Sequence, residues 1–153
     1  MGFKNFYIWR KRLPHWRADD VTYYTTFRHR RNLTPEECQE LFRVLLSLNI
    51  KKWDVCILCV LPDKTELIVK TLSNSEGHSI DLSNILEPAK RKAAKRIQKS
   101  SSEKYSVFYQ ESFDRIIRNE QEYEERLNEI LKEPIDCGLV DEDGNYEFLW
   151  LPQ

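Results

Sequence analysis

The chain has 153 residues, with 24 Lys+Arg against 25 Asp+Glu, three His, four Cys, four Gly and six Pro. That length fits one domain with a real core and is short for two. An apolar share of 41% with 12% aromatic excludes wholesale disorder, and the longest strongly apolar run, residues 55–61, is too short to cross a bilayer.

A formal net charge of −1 argues against a nucleic-acid protein only as an average. Residues 1–31 carry a net +6, residues 88–104 again +6, and residues 119–147 a net −9. Segregated charge of this kind governs partners more than the total does. The opening residues, Met-Gly-Phe-Lys-Asn-Phe-Tyr-Ile-Trp-Arg, lack the apolar core of a signal peptide, so the expectation is a cytoplasmic protein.

In chain order, residues 1–20 or so read as a basic arm. Val21-Thr-Tyr-Tyr-Thr-Thr-Phe27 is β-branched and aromatic throughout and predicts a strand. Thr34-Pro35-Glu36-Glu37 is a helix start, with a Thr cap, Pro in the first turn and Glu three residues after the cap. Leu41, Phe42, Val44, Leu45 and Leu48 form that helix's apolar stripe. Residues 53–61 and 67–72 predict a strand pair around the turn Pro62-Asp63-Lys64. A second helix is expected over about 81–99, burying Leu82, Ile85, Leu86, Ala89 and Ala93. Residues 105–109 read as a short fourth strand. Residues 114–132 read as a third helix, burying Ile116, Ile117, Leu127, Ile130 and Leu131, with an acidic tail over about 133–153.

The order β-α-β-β-α-β plus a helix predicts an α+β, ferredoxin-like split βαβ fold over residues 1–153 as a single domain. It has an antiparallel sheet, helices on one face and a C-terminal helix. The second sheet face is then expected to be open for binding, with the acidic third of the chain facing elsewhere. Cys56 and Cys59 have redox or zinc-knuckle spacing, but no second pair follows. Alternation along a strand sends them to opposite faces, and they read as buried structural thiols.

The candidate nucleic-acid contacts are basic. Lys92, Lys95, Arg96 and Lys99 recur at helical spacing and can follow a phosphate backbone. Arg10, Lys11, Arg12, Arg17, Arg28, Arg30 and Arg31 are interleaved with Trp9, Trp16, Tyr23, Tyr24 and Phe27. Cations for phosphates beside rings for bases suit single-stranded nucleic acid. The alternative is that these rings are core and the arginines pair with the acidic C-terminal third. His15, His29 and His78 are scattered over separate segments and show no metal-ligand spacing.

Three stretches carry a family resemblance. Arg10-Lys-Arg-Leu-Pro-His-Trp16 followed by Val21-Thr-Tyr-Tyr-Thr-Thr-Phe-Arg28 resembles the opening of the REP-associated tyrosine transposases, relatives of the small single-strand insertion-sequence transposases. Tyr109-Gln-Glu-Ser-Phe-Asp-Arg-Ile-Ile-Arg118 resembles that family's Trp-Gln-x-x-Ser-Phe-Asp-Arg-Ile-Ile-Arg region. Glu133-Pro-Ile-Asp-Cys-Gly-Leu-Val140 resembles its Asn-Pro-Val-x-Ala-Gly-Leu-Val. The match runs in register from about residue 10 to residue 140. It implies the ferredoxin-like fold, binding of hairpin or single-stranded DNA, and a nucleic-acid role for His15, Trp16, Arg115 and Arg118 beside the basic residues above. It also implies metal-dependent nicking and joining through a 5′-phosphotyrosine, with two His (the HUH pair) on one strand face holding the metal.

The chemistry-bearing positions depart from that pattern. The family's Met-Pro-Asn-His-Val-His-Leu-Leu-Val stands here as Leu61-Pro-Asp-Lys-Thr-Glu-Leu-Ile-Val69, so the His positions are Lys64 and Glu66. A charged ammonium does not ligate a metal. An ion pair between Lys64 and Glu66 is expected in place of the metal, with Lys64 available to a DNA phosphate. The Tyr expected near Asp114 is replaced by Ser112 and Phe113.

The leading expectation is therefore a transposase-like DNA-binding protein without nicking activity, using no cofactor. One alternative is an enzyme with rearranged chemistry, in which Asp63, Glu66 and Asp114 hold Mg²⁺ or Mn²⁺ and Tyr109 or Tyr105 is the nucleophile. Another is a protein-interaction module, with a protein partner or a second copy of the chain.

Overall fold

A computed structural model of the chain describes residues 2–142 and 144–153. The N-terminal residues form a hairpin, β1 (Lys4–Arg10) and β2 (Pro14–Asp19), paired antiparallel. Then follow β3 (Thr22–Arg28), α1 (Pro35–Leu46), β4 (Trp53–Val60), β5 (Lys64–Thr71) and α2 (Leu82–Ser101). The chain continues with β6 (Phe113–Ile117), α3 (Glu120–Asp136) and the short β7 (Leu149–Trp150). Strands β6-β3-β5-β4-β7 lie side by side in that order, every pair antiparallel. The four strands β6-β3-β5-β4 with α1 and α2 are the ferredoxin-like arrangement expected from the sequence.

The predicted α1 start is built as a reciprocal cap. The Thr34 hydroxyl accepts from the Glu37 N–H at 3.2 Å, and the Glu37 carboxylate accepts from the Thr34 N–H at 2.9 Å. Arg31 then donates to both Glu37 oxygens at 2.7 Å, which holds the Glu37 carboxyl below the ordinary range. From this anchored start Leu41, Val44 and Leu45 turn into the core.

The sheet has two covered faces. Tyr23, Phe27, Val55, Leu58, Val60, Leu67 and Val69 face α1 and α2 in the larger core. Tyr24, Ile57, Cys59, Leu61 and Ile68 face α3, which contributes Ile130 with Tyr123, Leu127 and Leu131. The face expected to be open is thus closed by the acidic helix. The charged character of α3 lies on its outer side, while its apolar stripe does what such a stripe does and buries against the sheet.

Three further expectations are corrected. Residues 105–109 are not a strand of the sheet; they meet it at one bridge, His29 with Phe108. The fourth core strand is residues 113–117, expected to begin the third helix. Alternation decides it: Ile116 turns to the larger core and Ile117 to the α3 side. The helix starts instead at Asn119, whose side chain accepts from the Glu122 N–H at 2.8 Å, a cap signal that apolar periodicity alone does not reveal. Lastly, the β4 register shifts between Val55 and Ile57. The bulge turns Cys56 toward the α3 side, where Cys59 also sits, rather than to the opposite face. All four cysteines are free; Cys38 and Cys59 are buried, Cys56 partly so, and Cys137 is exposed.

Candidate nucleic-acid interface

The hairpin is tied to the sheet by a buried polar network. Arg17 is 2% exposed. Its Nη1 donates to Asp114 at 2.8 Å, its Nε to Asp81 at 3.1 Å and its Nη2 to Ser83 at 2.8 Å. The rings of Trp9 and Tyr23 lie over the guanidinium at 5.2 and 5.6 Å. Burial alone would lower the Arg17 pKa, but Asp114 and Asp81 outweigh it and the guanidinium is held charged. His15, also buried, lies 2.7 Å from Asp114 and 3.0 Å from Glu111, stacked on Trp9 at 4.0 Å. Arg17 and His15 therefore serve the protein's interior. Their expected role as DNA contacts is corrected: no donor of Arg17 is left for a ligand.

A basic groove begins at the tip of this hairpin. A cleft of about 580 Å³ is lined by Lys11, Arg12, Leu13, Arg30, Tyr109, Gln110 and Glu111. It runs into a second of about 360 Å³ against α2, lined by Arg91, Lys95 and the same Arg30, Tyr109 and Gln110. Where the two meet, the exposed Tyr109 ring lies 5.0 Å from the Arg30 guanidinium. The loop that presents Tyr109 is held from beneath by Lys90. This buried ammonium donates to the carbonyls of Tyr109 and Gln110 at 3.0 and 3.1 Å and to the Ser112 hydroxyl at 3.1 Å. Burial lowers the Lys90 pKa. Neither Lys90 nor Arg91 was among the sequence candidates. Their helical phase with Lys95 would have marked Arg91, whereas nothing local marks Lys90 as buried.

The other basic candidates are not all brought together. On α2, Lys92 borders a different cleft against α1, and Arg96 pairs with Glu40 of α1 at 2.8 Å. Arg31 is held by Glu37 and Glu103. Arg10, Arg28 and Lys99 are exposed. Arg115 pairs with Glu122 at 2.6 Å, and the Arg118 guanidinium lies 5.6 Å from the Trp16 ring.

Of the positions that the resemblance assigns to metal and nucleophile, Lys64, Glu66 and Phe113 share one sheet face, while Ser112 lies under Lys90 of α2. Pairing across the strands sets Phe113 opposite Thr26, Thr26 opposite Glu66, and Glu66 opposite Cys59. Lys64, two residues before Glu66 on β5, lies on that face too. The Lys64 ammonium lies 2.8 Å from a Glu133 oxygen on α3 and 3.6 Å from Glu66 Oε1. Burial lowers the Lys64 pKa, but Glu133 and Glu66 outweigh it and the net shift is upward. Glu66 is 4% exposed and accepts from the Tyr24 hydroxyl at 2.9 Å; its Oε1 has no hydrogen bond among the described residues and lies 3.6 Å from the ammonium. Burial raises its pKa, against the Tyr24 hydrogen bond and Lys64.

This donor set does not fit a divalent cation. The position between the carboxylates already holds a positive charge, and an ammonium has no lone pair to give. The alternative ligand set fails geometrically. Asp114 pairs with Thr25, one residue from Thr26, and so faces away from Glu66, where it binds Arg17 and His15. Among the described residues no group of three His, Cys, Asp or Glu is placed to hold a metal, and no helix is long and apolar enough to cross a membrane.

No family model matches the sequence, and no curated protein matches it. Among solved structures the chain is similar to a REP-associated tyrosine transposase bound to a REP hairpin. The TM-score is 0.69 over 92% of this chain and 82% of that chain, at 18% identity. The fold is that of a REP-associated tyrosine transposase. The likeness reaches beyond the four-stranded core, since 92% coverage takes in more than β3 to β6. The N-terminal hairpin is the element that the sequence reading left undefined, whereas a third helix was expected and forms from Glu120 rather than from residue 114.

Proposed function

We propose that this chain is a transposase-like DNA-binding protein that recognises hairpin or single-stranded DNA and does not nick it. The observation that carries the reading is the groove through Arg30 and Tyr109. Five exposed cations (Lys11, Arg12, Arg30, Arg91 and Lys95) line two clefts that share Arg30 and the solvent-facing Tyr109 ring, on the fold of a transposase solved with a DNA hairpin. Phosphates meet the cations, and an unpaired base meets Tyr109. The loss of chemistry is supported by Lys64 standing between Glu133 and Glu66 and by Ser112 and Phe113 where the nucleophile is expected. Ser112 is buried under Lys90, and a phenyl ring has no hydroxyl to attack phosphorus.

A labelled DNA hairpin with a single-stranded flank, incubated with and without Mn²⁺, tests both halves. The expected outcome is binding that weakens steeply with salt and an intact strand. Absence of salt-sensitive binding overturns the DNA-binding reading; Mn²⁺-dependent cleavage overturns the loss of activity.

A further inference from the structure

On the α1 side of α2, away from the basic groove, an apolar cleft of about 360 Å³ lies between the two helices. Its walls include Val44 and Leu48 from α1, Pro88 from α2 and Ile80 from the loop before it. The exposed Lys52 and Lys92 also line it, and among the described residues no carboxylate does. Pro88 has no N–H, so the carbonyl of Asn84, another lining residue, lacks the helical donor that position 88 would supply.

The complementary chemistry stands at the C-terminal end of α3. There the Gly138 N–H donates to the Ile135 carbonyl and the Leu139 N–H to the Pro134 carbonyl, both at 2.9 Å, with Gly138 at φ +73°. This is a Schellman turn, fixed by its own backbone bonds. It presents Ile135 and Leu139, 36% and 38% exposed, together with the exposed Asp136, Asp141 and Glu142. A chain cannot bring this turn into its own cleft. α3 covers one face of the sheet, and α1 with α2 cover the other. The turn follows Glu133, which holds Lys64 at the first residue of β5. Lys52 lies toward the opposite end of that strand, where its carbonyl accepts from the Leu72 N–H.

We propose that the α1–α2 cleft receives the acidic turn, residues 135–142, of a second copy of this chain in a reversible head-to-tail contact. Ile135 and Leu139 enter between the apolar walls, and Asp136, Asp141 and Glu142 meet Lys52 and Lys92. Charge selects the occupant, since a basic segment would meet like charge there. The turn is already formed in the free chain, so little ordering opposes binding. Two different surfaces meet, so each copy keeps one of them free, and assembly continues past two copies unless the rotation closes a ring. The contact does not rest on the DNA-binding reading, because Arg91 and Lys95 line the groove on the other side of α2.

Sedimentation of the full chain from micromolar to millimolar concentration tests it. The wild type should show an average mass that rises with concentration and falls with added salt. Lys52→Glu with Lys92→Glu, and separately Asp136→Lys with Glu142→Lys, should each weaken self-association about 10-fold or more, because like charges then face each other. An equimolar mixture of these two variants should regain it, a recovery that misfolding does not produce. Ile135→Ser with Leu139→Ser should weaken it at constant net charge. Lys99→Glu with Lys104→Glu makes the same charge change outside the cleft and should leave association unaltered. A wild type that stays monomeric throughout overturns the proposal, as does association that survives either charge reversal or is not regained on mixing. Equal loss in the Lys99 and Lys104 variant overturns it too, since the attraction would then be diffuse.

Discussion

Arg17 on the hairpin and Asp114 on the edge strand β6 meet at 2.8 Å with both side chains almost wholly out of water. The contact joins two elements that share no backbone ladder and sets where the hairpin tip stands over the groove. Asp114→Asn leaves a buried guanidinium with Asp81 as its one carboxylate partner. The expected cost is about 3 kcal/mol, as for other buried pairs broken on one side, read by urea denaturation. Arg17→Met, which removes the charge and keeps much of the volume, should cost less. If Asp114→Asn is within about 0.5 kcal/mol of wild type, the range of ordinary surface changes, the network does not hold the hairpin.

His29 gives the fold an acid limit. It is buried, with Nδ1 at 2.8 Å from the Pro62 carbonyl and Nε2 at 2.9 Å from the Thr65 hydroxyl. Burial pushes its pKa down to about 4, with the Pro62 carbonyl and Asp63 opposing the fall and Lys90 adding to it. The unfolded chain then takes up a proton before the native one does. Stability from this group is complete above about pH 6.5 and declines as pH falls toward 4. Between pH 7 and pH 5 the loss should be about 2 kcal/mol, and His29→Gln should remove most of that slope. An unchanged slope in the variant would assign the acid sensitivity elsewhere.

Lys64 and Glu66 hold positions that histidines would use well. Placing imidazoles at both, Lys64→His with Glu66→His, removes the ammonium and leaves Glu133 as a nearby oxygen ligand. The double variant should bind Mn²⁺ or Zn²⁺, seen as a metal-dependent rise in melting temperature that the wild type lacks. Each single variant should show little of it. Equal metal response in wild type and double variant would contradict the geometry argued for this face.

The groove makes a selective claim about α2. Arg91→Ala and Lys95→Ala should each weaken hairpin DNA binding and reduce the salt slope by about 0.7 to 0.9. Lys92→Ala and Arg96→Ala, on the α1 side of the same helix, should leave both nearly unchanged. Equal effects from all four would mean that the helix acts as a diffuse positive surface and that the groove has no special part.

Local signals in the sequence carried far. The Thr34 cap, the β-branched run before Arg28 and the apolar strand pair around Pro62 each depend on neighbours in the chain, and each forms as the residues require. So does the coincidence of Lys64 and Glu66 on one face, which follows from alternation. The hairpin at residues 4–19 reads as a basic arm because of its cations, and no apolar alternation marks it: Ile8 and Trp16 stay exposed while Arg17 and His15 are buried. Burying those two is tolerable only where Asp81, Glu111 and Asp114 wait for them, and no window of sequence contains both sides of that contact. The same reason hid β6: residues 113–117 alternate correctly, but β3 supplies the ladder that makes them a strand.

By itself the sequence determined the β-α-β-β-α order of the core as far as α2, the segregation of charge and the absence of histidines from the paired strand positions. Only the tertiary structure decided which charges remain available. The near-neutral total belongs to the sequence; the structure lays the apolar stripe of α3 on the sheet with most of its carboxylates outside and encloses Arg17 and Lys90 among acceptors. Of the exposed cations, Lys11, Arg12, Arg30, Arg91 and Lys95 line the two clefts that meet at Arg30 and Tyr109, while Arg10, Arg28 and Lys99 stand apart from them. Exposure and pairing are long-range properties: a basic residue's partner is chosen by how the sheet and helices pack, which the order of residues along the chain does not state.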